Sequence, residues 1–352
     1  MDRQQLNKIL RFAVERGASD IHLSAGYQPI YRLHGRLQKI ETQVISAENM
    51  YHLVKELLTK EQWAIYEEFR ELDFAYAISG IARFRTNVYF QLNGRALAFR
   101  VIPEHIRSLE ELGAPPGVYA LARRQEGLVL ITGPTGSGKS TTMAAMIDLI
   151  DTERQVHIIT IEDPVEYVYT AKNCLINQRE LGPHTKSFAN ALRAALREDP
   201  DVILVGEMRD LETISQALTA SETGHLVFAT LHTNSASETI NRIVDVFPAG
   251  QQDQIRAQFA DSIQGVISQR LLPTKNKKGR VAVMEIMVAT PAIRNLIRER
   301  KIHQIPSAIQ TGGQYNMQLM DQNLLLFYQM GKISRETALL YAHNPRTIEN
   351  KI

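Results

Sequence analysis

At 352 residues the chain is long for a single hydrophobic core, so two domains are expected. Apolar residues make up 44% and charged ones 22%, a globular balance, and a net charge of +2 does not mark a nucleic-acid binder unless a local basic groove exists. Cys174 is the only cysteine, which excludes internal disulfides and multi-cysteine zinc sites and fits a reducing cytoplasm; no signal-like N-terminal stretch or run of ~18 apolar residues is present, so no membrane span is expected.

In chain order, residues 3–16 read as an amphipathic helix with Leu6, Ile9, Leu10 and Ala13 on one face, ended by Gly17. Ile21 and Leu23, then Tyr31 and Leu33, alternate with polar neighbours, and His34-Gly35 suggests a turn between strands. Ser46 fits the cap of a second helix carrying Met50, Leu53, Val54, Leu57 and Leu58, and Thr59 with Gln62 forms a capping-box pattern for a third. Helices among short strands predict a small α+β domain over residues 1–102.

Residues 81–102 read as a hairpin with Asn93-Gly94 as its type I′ turn. In that register Leu92 faces Arg95, Asn87 faces Arg100 and Arg85 faces Ile102. Phe84, Val88, Phe90, Leu97, Phe99 and Val101 then share one face, with Arg83, Arg85 and Arg100 on the other. A solvated sheet face explains three arginines; so does a role at a neighbouring subunit's phosphates, if the rest of the chain handles nucleotides. Residues 103–118, with Pro103, Gly113, Pro115, Pro116 and Gly117, are expected to link the domains.

Next comes an apolar run at 128–131, then Gly133-x4-Gly138-Lys139-Ser140, then Met143, Met146, Ile147 and Ile150 at helical spacing. This strand, glycine loop and helix is the context that a phosphate loop requires. Glycines let backbone N–H groups turn inward, and the opening helix adds unpaired N–H groups and a positive dipole end. The expected nucleotide set is Gly133, Thr135, Gly136, Ser137, Gly138, Lys139, Ser140 and Thr141, with Lys139 on the β/γ-phosphates of ATP or GTP and the Ser140 hydroxyl on Mg²⁺.

A strand at 157–161 runs into Glu162, Asp163 and Glu166, carboxylates placed to hold Mg²⁺ or orient water. The run 202–205 leads to Gly206-Glu207, as a Walker B strand leads to its acid, with Arg209 and Asp210 following and Asp210 fitting a helix cap. A strand at 226–231 lies between His225 and His232, whose separation argues against shared metal binding and favours a γ-phosphate contact or a structural hydrogen bond. Residues 236–271 are expected to be mainly helical, 275–280 a basic turn, and 281–288 a strand. Helices follow from Pro291, beginning with Ile293, Leu296 and Ile297 as an apolar stripe beside Arg294 and Arg298. Gly331 suits a helix end and Ser334 the start of the last helix.

Taken together, residues 133–140, 161–166, 204–210 and 224–233 resemble the Walker A, Asp box, Walker B and His box of the secretion-superfamily ATPases, across essentially the whole chain. The stretch 292–299, Ala-Ile-Arg-Asn-Leu-Ile-Arg-Glu, is similar to the signature of the branch that retracts type IV pili. The resemblance implies an α/β fold: a PAS-like N-terminal domain (1–102), a linker (103–118) and a RecA-like ATPase domain (119–352) with a helical extension from about 291. It further implies a homohexameric cytoplasmic ring, peripheral to the inner membrane, that hydrolyses ATP with Mg²⁺ and acts on a membrane-embedded pilus platform.

The same resemblance makes Glu166 the general base, places Glu207 with the Mg²⁺ and its waters, and makes His232 a γ-phosphate sensor. Asp163 is a further candidate for the metal's surroundings. Arg83, Arg85 and Arg100 fall in the arginine-finger region, with the catalytic one among them left open, and Arg294 and Arg298 are expected to couple hydrolysis to retraction. Pilus-extension and type II secretion ATPases usually carry a longer N-terminal region and a four-cysteine zinc insertion, both missing here. Outside this class, a nucleic-acid translocase and a nucleotide switch without turnover are the alternatives; near-neutral charge weighs against the first and the candidate base Glu166 against the second.

Overall fold

The computed structural model describes residues 1–33, 35–102, 105–276 and 279–351; His34, Pro103 and two lysines of the basic turn, Lys277 and Lys278, lie outside them. The chain divides into two compact units, Met1–His105 and Ile106–Ile352.

The first unit runs α1 (Arg3–Glu15), β1 (Asp20–Ser24), β2 (Ile30–Leu33), β3 (Arg36–Lys39), α2 (Ala47–Leu57), α3 (Lys60–Phe69), β4 (Glu71–Ile78), β5 (Ala82–Gln91) and β6 (Gly94–Ile102). Its caps follow from sequence. Asp2 and Gln5 form a capping box on α1, Ser46 caps α2, and Thr59 with Gln62 boxes α3. The strands form an antiparallel sheet in the order β3-β2-β1-β6-β5-β4, whose inner face buries Ile21, Leu23, Phe84, Val88, Leu97 and Phe99 with Leu6, Leu10, Met50 and Leu53 of the helices.

The β5–β6 register differs from the expected one. Gln91 pairs with Gly94, so Leu92 and Asn93 make the turn and every partner shifts by two residues. The Asn93 N–H donates to Gln91 Oε1 at 3.0 Å, and Gly94 leaves the turn at a φ of 120°, a conformation that glycine tolerates best. Because the shift is even, the faces are unchanged: Arg85 now lies directly opposite Arg100, and Arg83 opposite Ile102. Like charges opposed in this way repel, and Asp20, beside Arg100 on β1, takes its Nε at 3.0 Å. Phe90, expected on the inner face, is 43% exposed.

The second unit runs α4 (Pro116–Ala122), β7 (Gly127–Thr132), α5 (Lys139–Glu153), β8 (His157–Glu162), β9 (Leu175–Glu180), α6 (Phe188–Ala195), β10 (Val202–Val205), α7 (Leu211–Glu222), β11 (Leu226–Leu231), α8 (Ala236–Asp245), α9 (Gln252–Ser262), β12 (Ile263–Pro273), β13 (Arg280–Val288), α10 (Pro291–Arg298), α11 (Ile305–Thr311), α12 (Met320–Gln329), α13 (Arg335–Tyr341) and α14 (Pro345–Glu349). The sheet order is β13-β12-β7-β11-β10-β8-β9, parallel except for β13. Strands β7, β10 and β11 are buried along their whole length, which is why they read as unbroken apolar runs.

Two expectations are corrected by this unit. Residues 263–271 are strand: β12 pairs parallel with β7 and antiparallel with β13. Helix α9 passes into it at Ile263 with no glycine or proline at the junction, and the first break signal, Gly265, already lies inside the strand. Within the stretch expected as linker, Leu109 and Val118 are buried in the core of the second unit, and residues from Ile106 onward belong to it. Beyond β13, α10 and α11 bury Ile293, Ile297, Ile305 and Ile309 in that core, while α12 to α14 close a smaller one around Leu272, Val283, Met320 and Leu324.

Candidate nucleotide-binding and catalytic site

The parallel strands β7, β8, β10 and β11 end, at their carboxyl ends, in Gly133, Asp163, Gly206-Glu207 and His232 respectively. In open α/β sheets this edge is where ligands bind.

The loop after β7 is shaped by glycine and by β12. Gly133 has a φ of 142°, and a Cβ there would lie 2.2 Å from the Gln269 carbonyl oxygen. At Gly138, φ 90°, a Cβ would come 2.8 Å from Gln269 Nε2. Gln269 is itself buried: its Nε2 donates to the Ser137 carbonyl at 2.7 Å and its Oε1 accepts from Thr142 Oγ1 at 2.8 Å. Sequence does not mark it as a site residue, because the expected helix over 236–271 covers its strand.

Lys139 opens α5 and turns its Nζ onto the carbonyl oxygens of Gly133 (2.9 Å) and Pro134 (3.2 Å). Burial lowers its pKa, opposed by the charges of Glu207 and Glu166, so both carboxylates lie within electrostatic reach of the phosphate-loop lysine. The N-terminus of α5 carries no side-chain cap, unlike those of α6, α7, α8 and α10. The Ser137 hydroxyl is buried without a hydrogen-bond partner among the described residues. Uncapped N–H groups and an orphaned hydroxyl around a cationic lysine fit a phosphate chain.

Glu207 accepts from Arg209 Nη2 at 2.8 Å and lies 3.2 Å from His232 Nε2. Burial works against its ionisation, but Arg209 and then His232 outweigh it and hold the carboxyl below its ordinary pKa. Glu207 is therefore a carboxylate at neutral pH, the form able to ligate a divalent cation. Arg209 also senses Asp163, which is exposed, as is Glu166. Glu162 differs. It is buried, accepts from Thr160 Oγ1 at 2.7 Å, and burial pushes its pKa to about 7. The Tyr167 hydroxyl meets Thr141 Oγ1 on the first turn of α5 at 2.9 Å.

The remaining candidates belong to other elements of the chain. Arg83, Arg85 and Arg100 belong to the first unit, on the outer face of β5 and β6. Arg294 is half-buried against α9: its Nη1 donates to the carbonyls of Ala260 and Asp261, and Arg298 pairs with the Asp261 carboxylate. These two arginines, expected as a coupling face, are thus also clamps between α9 and α10.

With this geometry in place, the chain can be compared with known proteins. A family model described as type II/IV secretion system protein matches residues 3–324. The chain belongs to this family. It is 51% identical over 333 residues to the type IV pilus retraction ATPase PilT of Pseudomonas aeruginosa, covering 95% of this chain and 96% of that protein. It is 52% identical over 320 residues to a twitching motility protein of Neisseria gonorrhoeae, covering 91% and 86% of the two chains. Among solved structures, the pilus retraction motor PilT with bound ADP superposes with a TM-score of 0.92 at 47% identity, covering 99% of each chain. The chain is thus a secretion-family ATPase with a RecA-like domain and a smaller N-terminal domain, and its phosphate loop belongs to a nucleotide-binding fold. Among the described residues no helix is long and apolar enough to cross a membrane.

Proposed function

We propose that this chain is an ATP-hydrolysing motor that powers retraction of type IV pili. The observation that carries the reading is the joining, at one sheet edge, of an uncapped phosphate-loop helix with two carboxylates in electrostatic reach of Lys139, in a family member about half identical to a named retraction ATPase.

In this reading Lys139 leaves the loop carbonyls for the β/γ-phosphates, and the N–H groups of 136–141 cradle them. Ser140 would ligate Mg²⁺, with Glu207 and Asp163 holding it directly or through water; the metal would supply charge neutralisation on the phosphates. Glu166, on the exposed strap after β8, accepts the proton of the attacking water. His232 reports the γ-phosphate, and its contact with Glu207 ties that report to the Walker B acid. One of Arg83, Arg85 and Arg100 reaches a neighbour's nucleotide in a homohexamer, and Arg294 and Arg298 lie on the route to the pilus platform at the cytoplasmic face of the inner membrane.

The test pairs chemistry with biology. Purified protein should release phosphate from ATP with Mg²⁺, and deleting the gene should abolish twitching while surface pili are retained or increased. Unimpaired twitching in the deletion strain would exclude the principal retraction motor and leave an accessory paralogue or an extension-type ATPase. ATP turnover that rises on adding DNA would favour a nucleic-acid translocase instead.

A further inference from the structure

Glu166 sits on residues 165–169, an extended strap outside any strand, whose exposure alternates: Val165, Tyr167 and Tyr169 turn inward while Glu166 and Val168 are exposed. Its backbone polar groups are held by side chains: the Glu166 N–H donates to Glu162 Oε2, at the end of β8, at 3.4 Å, and two residues of the edge strand β9 hold the rest of the strap. The Val165 N–H donates to Glu180 Oε2 at 3.1 Å, and the Tyr169 N–H donates to Gln178 Oε1 at 3.0 Å. Gln178 Nε2 donates in turn to the Tyr167 carbonyl at 2.7 Å. One carboxamide therefore grips two backbone groups of the strap, in the donor and acceptor senses, just past Glu166. A neutral amide does both at any pH, whereas a carboxyl of the same shape could donate only while protonated.

We infer that Gln178 is a positioning residue for hydrolysis, fixing the strap so that the Glu166 carboxylate stands over the phosphate loop. The inference rests on the reading of Glu166 as the base. Because Gln178 touches the strap and Glu162, and not the loop that would bind phosphate, its loss acts on the placement of the carboxylates and leaves nucleotide binding in place. Displacement of a catalytic group by about 1 Å costs roughly 10²-fold in rate. Tyr167, whose hydroxyl meets Thr141 on α5, gives the strap a second anchor, so the strap stays close to the site in the variant and the damage is confined to alignment.

The experiment compares wild type, Gln178→Met, Gln178→Glu and Glu166→Gln as full-length proteins, measuring steady-state ATPase kinetics, affinity for a fluorescent ADP analogue and the thermal midpoint. Gln178→Met removes the two bonds to the strap and a longer third one, from Nε2 to Glu162 Oε1 at 3.4 Å; its kcat is expected to fall tenfold or more, within the ~10²-fold scale of misalignment, with KM and ADP affinity changed less than about twofold. Gln178→Glu keeps the acceptor for Tyr169 but, ionised, turns an oxygen onto the Tyr167 carbonyl and Glu162, so its kcat should fall at least as far as that of Gln178→Met; it also carries the test if the Met variant folds poorly. Wild-type kcat in both Gln178 variants, beside a slow Glu166→Gln, overturns the inference alone. So does a loss of kcat matched by an equal loss of ADP affinity, since that marks a general structural role. A wild-type rate in Glu166→Gln instead removes the base assignment and, with it, the group that Gln178 is inferred to place.

Discussion

Lys139 Nζ donates to the Gly133 carbonyl oxygen across 2.9 Å, so the lysine of the phosphate loop is folded onto the loop that it belongs to. It must exchange this bond and the one to Pro134 for phosphate oxygens when nucleotide enters. A charged hydrogen bond is worth about 1.5–3 kcal/mol, so Lys139→Ala should weaken nucleotide affinity roughly 10- to 100-fold, read by titration of a fluorescent ADP analogue. Unchanged affinity would mean that the lysine does not leave the carbonyls.

Glu166→Gln should bind ATP as wild type does and hydrolyse it ~10²–10⁴-fold more slowly, the usual loss on removing a general base. Phosphate release under saturating ATP measures this. A wild-type rate would move the search to Asp163, Glu162 and Glu207.

Glu162 makes stability depend on pH. Burial raises its folded pKa to about 7 from an ordinary 4.5, so the folded state holds this proton more tightly than the unfolded chain does. Its contribution is fully present below about pH 4.5 and is lost as pH rises through 7, a span of about 3 kcal/mol. Glu162→Gln, always neutral, should remove that part of the slope and become relatively more stable than wild type toward pH 8. Urea denaturation of metal-free protein between pH 5 and 8 measures both slopes; parallel curves would show that the carboxyl titrates normally.

Arg294 and Arg298 should separate in their effect on folding. Arg294 bonds two carbonyls at the end of α9 and is half-buried, so Arg294→Ala leaves acceptors unsatisfied and should cost about 1.5–3 kcal/mol. Arg298 makes an exposed pair with Asp261, worth about 0–1 kcal/mol. Thermal or urea unfolding of the two variants distinguishes them. Arg298→Ala, outside every phosphate motif in sequence and expected to fold, is then the cleaner probe of coupling: normal ATPase activity with lost twitching is the expected result.

Arg83, Arg85 and Arg100 share one face of β5 and β6, and a ring built on a repeated heterologous contact brings each subunit's surface to its neighbour's site. A subunit lacking all three arginines and one carrying Glu166→Gln should each be nearly inactive alone. Mixed rings should regain activity wherever an intact arginine face meets an intact Glu166, since arginine fingers contribute ~10³–10⁵ in rate. Mixed rings of verified composition without recovery would place the finger elsewhere.

Local chemistry carried much of this molecule into legible sequence. The phosphate loop is readable because glycine, lysine and serine at fixed spacing have few other uses between a buried strand and a helix, and the caps at Ser46, Thr59, Asp210 and Ser334 are readable because each acts within three residues. The apolar runs of β7, β10 and β11 announce a parallel sheet for the same local reason. What needed the tertiary structure was every relationship set by distant chain. Gln269, buried behind the phosphate loop, hydrogen-bonds a residue more than a hundred positions away and sits on a strand that α9 enters without punctuation. The hairpin register turned on how Gly94 leaves its turn, a choice that Asn93-Gly94 alone does not make. Gln178 acquires its place only because β9 lies at the sheet edge beside the strap. Periodicity records which face of an element is buried; it holds no record of which other element does the burying, and that is where Gln178, Gln269 and the clamp of Arg294 are decided.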